Sequence, residues 1–316
     1  MRETQKIIEK IETLENCFCI TLINGQKNPA QVFATQIALD ILPLFYEILE
    51  KKGKVEKLAL VIRSNGGIID TPLPVINLLR EYCQTLLILV PEHAHSAATL
   101  ISLGGNEIVM TPISSLSPID PQIPIPQTQV ENKPNNVKIH SVEDISGYYE
   151  LLDKLKITED GKIKALELIA KTLDPIILGQ IERVRELIRI YADRILSFTE
   201  KSEEAKKLII EKLVEQIPSH NYMISRKEAL DIGLPVKSAT DEQHGLLKSL
   251  MKLYKTDLKE DEKELIINFE PGKNTNEQFI NRAFIETKDQ CYSFVTKYVF
   301  HQNGKIDTTI NQWQSL

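Results

Sequence analysis

The residues with the clearest chemical potential lie in His93-Ala94-His95-Ser96-Ala97-Ala98-Thr99, where a serine between small neighbours follows an apolar run and precedes another. The upstream run, Thr85 to Val90, has strand length and is closed by Pro91, whereas Ala97 to Leu103 has helical composition. Ser96 is therefore expected at a strand-to-helix corner. A serine there either caps the helix with its hydroxyl or acts as a nucleophile, with the free N–H groups of the first turn favouring a developing oxyanion.

A second stretch, Ser64-Asn65-Gly66-Gly67, also follows a strand and precedes a helix. Taken alone it is either a tight turn or a place where glycines bring backbone N–H groups close to a substrate carbonyl. If successive parallel units set their turns on one sheet edge, the N–H groups of Gly67 and Ala97 converge beside the Ser96 hydroxyl. Two amides beside a hydroxyl make an oxyanion hole.

The elements needed to hold these turns can be read from the pattern. A helix over 1–16, a strand over 17–23 and a helix over 37–52 precede strand 58–62, helix 71–82, strand 85–90, helix 96–104 and strand 107–110. Strands alternating with helices at this spacing predict a mostly parallel α/β core. The proline-rich stretch 111–143 is expected to be extended or looped. Helices are expected over 143–156, 162–172, 174–198 and 202–216, then a short one over 225–232 closed by Gly233. From about residue 240, the charge run Lys255-Thr-Asp-Leu-Lys-Glu-Asp-Glu-Lys-Glu264 and later alternating apolar residues suggest a small α+β appendage. The expected division is 1–240 and 241–316.

Bulk properties narrow the function classes. The chain has 316 residues, 42% of them hydrophobic, and a net charge of −6, which argues for a buried core and against nucleic acid as the main partner. No run of 18 apolar residues or export signal is present, so neither a membrane span nor secretion is expected. Cys17, Cys19, Cys83 and Cys291 lack metal-ligand spacing and read as reduced thiols of a cytoplasmic protein, with no metal or other cofactor.

Four stretches in order, Leu60 to Asp70, Ala94 to Gly104, Asn106 to Met110 and Ser117 to Gln122, together with Ile224 to Pro235, resemble the serine dehydrogenase proteinase family. Its members are relatives of signal peptide peptidase A on the Clp protease/crotonase fold. The resemblance implies a ββα spiral core, Ser96 as nucleophile, an oxyanion hole from Gly67 and Ala97, and 111–127 as the segment lining the substrate. It also implies a peptide or protein substrate and a homo-oligomer.

Gly66, His95, Asp120 and Pro121 are the expected substrate contacts, and Ile119 to Ile125 could pair with an extended peptide. A serine needs a base. Where Clp proteases place a histidine this chain has Asp120, and Lys171 stands where relatives of signal peptide peptidase place a lysine. A lysine serves only when burial lowers its pKa. His93 or His95 is expected to line the cleft, and His220 is a further candidate base. Ala97 and Ala98 replace the two glycines usual after the nucleophile. Two other classes stay open: thioester chemistry using Asp70 or Asp120, and a scaffold that has lost its base.

Overall fold

A computed structural model of the chain describes residues 1–26, 35–119, 122–126, 137–141, 143–172, 174–217, 219, 222–261, 267–269 and 272–316. The first half alternates as predicted: α1 (Glu3–Glu15), β1 (Phe18–Asn24), α2 (Leu42–Lys52), β2 (Val55–Arg63), α3 (Pro72–Tyr82), β3 (Cys83–Val90), the two-residue β4 (His93–Ala94), α4 (Ala97–Ser102) and β5 (Glu107–Met110). The described parts of the proline-rich stretch hold β6 (Ser115–Leu116), β7 (Gln122–Pro126) and β8 (Val137–Ser141). Four helices follow, α5 (Glu143–Lys154), α6 (Glu159–Thr172), α7 (Pro175–Leu196) and α8 (Glu203–Glu211). Then come β9 (Ile224–Ser225), α9 (Arg226–Ile232) and β10 (Val236–Ser238). Gly233 ends α9 at φ 100°, a left-handed cap that glycine adopts without steric cost.

Beyond residue 240 lie α10 (Asp241–Asp257), β11 (Thr275–Glu286), β12 (Cys291–His301) and β13 (Ile306–Ser315). The expected boundary near 240 does not interrupt the sheet. Eight strands run in the order β10-β5-β3-β2-β1-β11-β12-β13, parallel from β10 to β1 and antiparallel from β1 to β13.

Both faces of this sheet are covered, which is why its central strands read as unbroken apolar runs. Alternate residues point to opposite faces. Leu58, Leu60, Ile62, Leu86, Ile88 and Val90 meet α2, α3, α4 and α7. Ala59, Val61, Leu87 and Leu89 meet α1 and α10 through Ile8, Ile11, Leu247, Leu250, Met251 and Tyr254. All four cysteines are free, three of them buried and Cys17 half-buried. Burial pushes the Cys17 and Cys291 thiols up to about 12, so they are poor nucleophiles. No described helix is long and apolar enough to cross a membrane.

Candidate active site

The site lies where the parallel strands end. β2 runs on into Ser64, which forms a single parallel bridge with Ala94 of β4. The Ser64 N–H donates to the His93 carbonyl at 3.2 Å, and the His95 N–H donates to the Ser64 carbonyl at 2.9 Å. The glycine turn and the serine corner are thus brought to one sheet edge, as the repeated strand-turn-helix pattern predicts.

Ser96 occupies the N-cap position of α4, yet its side chain makes no capping hydrogen bond. The capping role is therefore not the one the structure shows. Its backbone stands at φ 51°, ψ −116°, a conformation that non-glycine residues rarely hold unless neighbours impose it. Several neighbours do so. The Ser96 N–H donates to Ser117 Oγ at 2.7 Å, and Ser117 Oγ donates to the Pro118 carbonyl at 2.9 Å. Thr99 Oγ1 donates to the Ala94 carbonyl at 2.7 Å and accepts from the Ser117 N–H at 3.1 Å. This lattice turns the half-buried Ser96 hydroxyl away from helix capping.

Gly66 and Gly67 are glycines for separate reasons. Gly66 has φ 108°, and a Cβ on it would lie 2.7 Å from Ser96 Cβ and 2.8 Å from the His95 carbonyl oxygen. At Gly67 a Cβ would lie 2.1 Å from the Ile37 carbonyl oxygen, because the backbone of Ile37 crosses there in a parallel bridge. That bridge uses the Ile37 N–H to the Gly66 carbonyl at 2.9 Å and the Ile68 N–H to the Ile37 carbonyl at 2.8 Å. In such a bridge the N–H of the central residue, Gly67, faces away from the partner strand. Ser117 and Thr99 are supporting residues to which the sequence reading assigns no role, and Ile37, expected at the start of a helix over 37–52, instead bridges Gly67, the helix beginning only at Leu42 because Ile37 is held in extended pairing.

A cleft of about 630 Å³ is lined by Gln26, Asn65, Glu92, His93, His95, Ile113, Ser115 and Met223, so that it reaches the chain neighbours of Gly66 and Ser96. His95 lies on its wall, with Nε2 2.8 Å from Ser115 Oγ and its ring 5.1 Å from that of His93. Burial, followed by the charge of Arg63, His95 and Lys255, lowers the His93 pKa to about 3. A neutral, weakly basic imidazole results, so His93 shapes the cleft rather than taking protons.

The other expected residues are placed as follows. Lys171 is exposed in the last turn of α6. Asp70 is exposed and accepts a hydrogen bond from Tyr191 of α7 at 3.2 Å. Asp120, Pro121 and His220 lie outside the described residues. The segment leading to Asp120 is fixed, since buried Ile119 donates its N–H to the Leu213 carbonyl at 2.9 Å.

Residues 2–281 match the family model of the ClpP-like SDH-type serine proteinases. The chain belongs to this family. The mixed α/β architecture, with its large sheet and flanking helices, is the ClpP-like fold of these proteinases. A curated relative, the uncharacterized protein MJ0137 of Methanocaldococcus jannaschii, is 24% identical over 258 residues, covering 79% of this chain and 78% of that one. Two solved structures of the 1510-N membrane-bound stomatin-specific protease are also similar, each at 16% identity. A serine-to-alanine mutant covers 69% of this chain and 79% of its own, with TM-score 0.39. A lysine-to-alanine mutant in complex with a substrate peptide covers 66% and 75%, with TM-score 0.38. In this proteinase Ser96 stands uncapped at positive φ.

Proposed function

We propose that the proteinase cleaves peptide bonds through an acyl-enzyme on Ser96. The observation that carries this reading is the Ser96 corner: a hydroxyl released from capping, at positive φ, packed against Gly66. Ser96 Oγ attacks the scissile carbonyl carbon while its proton passes to a base. The resulting oxyanion is held by the N–H groups of Ala97 and Gly67. Collapse returns the proton to the leaving amine, and a water molecule, deprotonated by the same base, releases the acyl group.

The base in this reading is a lysine, Lys171. It is exposed, so its use requires α6 to carry it into the closed cleft when substrate enters, because only a desolvated lysine is neutral enough to accept the proton. His220 is the alternative to test beside it. The substrate lies along the cleft lined by His95 and Asn65, with Gly66, Asp120 and Pro121 as its further expected contacts. Self-assembly belongs to the same reading, supported by the exposed apolar Leu155 just after α5, Ile163 and Leu168 on α6 and Ile176 on α7. Light scattering should return a multiple of the 36.0 kDa chain mass.

The test is intact-mass analysis after fluorophosphonate treatment of the native chain, Ser96→Ala, Lys171→Ala and His220→Ala. One adduct on the native chain that disappears in Ser96→Ala and Lys171→Ala is expected. Loss in His220→Ala with labelling retained in Lys171→Ala would move the base to His220. No adduct on folded native protein would overturn the acyl-enzyme.

A further inference from the structure

Each half of the site is rooted in a charged residue. Arg63 ends β2 immediately before the Ser64 turn, and its side chain is fully buried. Glu92 immediately precedes β4, which leads to Ser96. The two form an ion pair, with Arg63 Nε 3.0 Å from Glu92 Oε2, although the Nε–H is not aimed along a hydrogen-bond direction.

Both are held from the C-terminal part of the chain. Glu260 takes the Arg63 guanidinium in a fork, Nη2 to Oε2 at 2.6 Å and Nη1 to Oε1 at 3.1 Å. Lys255, near the end of α10, places Nζ 2.5 Å from Glu92 Oε1. Glu260 Oε1 also accepts the Gln26 N–H at 2.7 Å, and the Gln26 side-chain nitrogen lies 3.0 Å from His93 Nδ1. Two cations and two anions therefore alternate from Lys255 through Glu92 and Arg63 to Glu260, and Glu92 lines the cleft.

We propose that Lys255 and Glu260 are positioning residues for the Ser96 chemistry, acting through Arg63 on the glycine turn and through Glu92 on the nucleophile strand. The role rests on the acyl-enzyme reading above. A buried guanidinium held on two sides has one well-defined position, whereas with a partner removed it must move toward another acceptor or water. Ser64 is peptide-bonded to Arg63, and Gly66 touches Ser96, so that movement reaches the reacting hydroxyl within three residues. A shift of about 1 Å in a reacting group costs on the order of a hundredfold in rate. A purely structural cluster would instead lower the melting temperature and leave the folded enzyme's rate intact.

The experiment uses the full chain and the variants Glu260→Gln, Lys255→Met and Lys255→Arg, at a temperature where circular dichroism shows each one folded. The readouts are the rate of fluorophosphonate addition to Ser96, and kcat and KM on a peptide that the native enzyme cleaves. Glu260→Gln is expected to slow both addition and kcat by about ten- to a hundredfold, with KM little changed. Lys255→Met is expected to slow them several-fold, and Lys255→Arg to restore them. Should Glu260→Gln fail to fold, the half-exposed Lys255 pair of variants decides alone. Native labelling with folded variants within twofold of the native rate would overturn the positioning role while leaving the acyl-enzyme intact. An unlabelled native chain would overturn the acyl-enzyme and the positioning role together.

Discussion

At the scale of single residues, the site depends on what is absent as much as on what is present. Replacing Gly66 by alanine puts a Cβ 2.7 Å from Ser96 Cβ and forces an L residue to φ 108°. The strained backbone alone costs about 1–3 kcal/mol. Gly66→Ala is therefore expected to lower the melting temperature and to slow fluorophosphonate labelling by about a hundredfold; labelling at the native rate would show that Ser96 does not depend on this contact. His93 gives a pH prediction of definite sign. Buried beside Arg63, it stays neutral in the folded protein down to about pH 3, whereas in the unfolded chain it takes a proton near 6.5. Its contribution to stability is thus complete above pH 6.5 and is lost as pH falls from 6.5 toward 3, at up to about 1.4 kcal/mol per pH unit. Urea unfolding at pH 7, 5.5 and 4.5 should show a shallower acid loss for His93→Gln than for the native chain, and parallel losses would sink the assignment.

At the scale of elements, the corner is made by segments that meet from distant parts of the chain. Ser117, just after β6, supplies the acceptor for the Ser96 N–H, and Ile37 crosses Gly67 from the stretch before α2. Ser117→Ala leaves that N–H without its acceptor, which costs about 1–3 kcal/mol, and relaxes the positive φ of Ser96. Expected are a modest fall in melting temperature and a larger one, about tenfold or more, in kcat; an unchanged kcat would show that Gly66 alone sets the corner. The same comparison explains what was legible in the sequence. Ser96 and the Ser64–Gly67 turn are announced locally, by small residues between a strand-length apolar run and a helical one. Ser117 and Thr99 are ordinary residue types whose importance comes from long-range contact, and periodicity carries no record of that. The helix α10 was obscured by its lysines. Its apolar residues Leu247, Leu250, Met251, Tyr254 and Leu258 recur at helical spacing, and the Thr240–Gln243 capping box marks its start. Pairing of β11 with β1 depends on residues some 260 positions apart, beyond the reach of local pattern.

At the scale of the molecule, the C-terminal quarter completes a core that the first 240 residues leave open. Leu247, Leu250, Met251, Tyr254 and Leu258 cover the sheet face formed by Cys19, Ile23, Ala59, Val61, Leu87 and Leu89. At roughly 1.5–3 kcal/mol for each large apolar side chain buried, that contact is on the order of 10 kcal/mol, comparable with the whole stability of an ordinary domain. β11 satisfies the edge of β1 through the register Thr21 to Asn24 against Glu286 to Ala283, and its removal would leave an apolar edge strand ready to pair with another chain. Buried Glu286 adds to the connection, accepting from Tyr254 Oη at 2.7 Å and from Thr4 Oγ1 at 2.9 Å. A chain ending at residue 240 is accordingly expected to be insoluble, or to bind a hydrophobic dye without a cooperative melt. A truncated chain that stays soluble, melts cooperatively and labels at Ser96 would show that residues 1–240 fold alone, and that α10 and β11–β13 are added onto a finished domain.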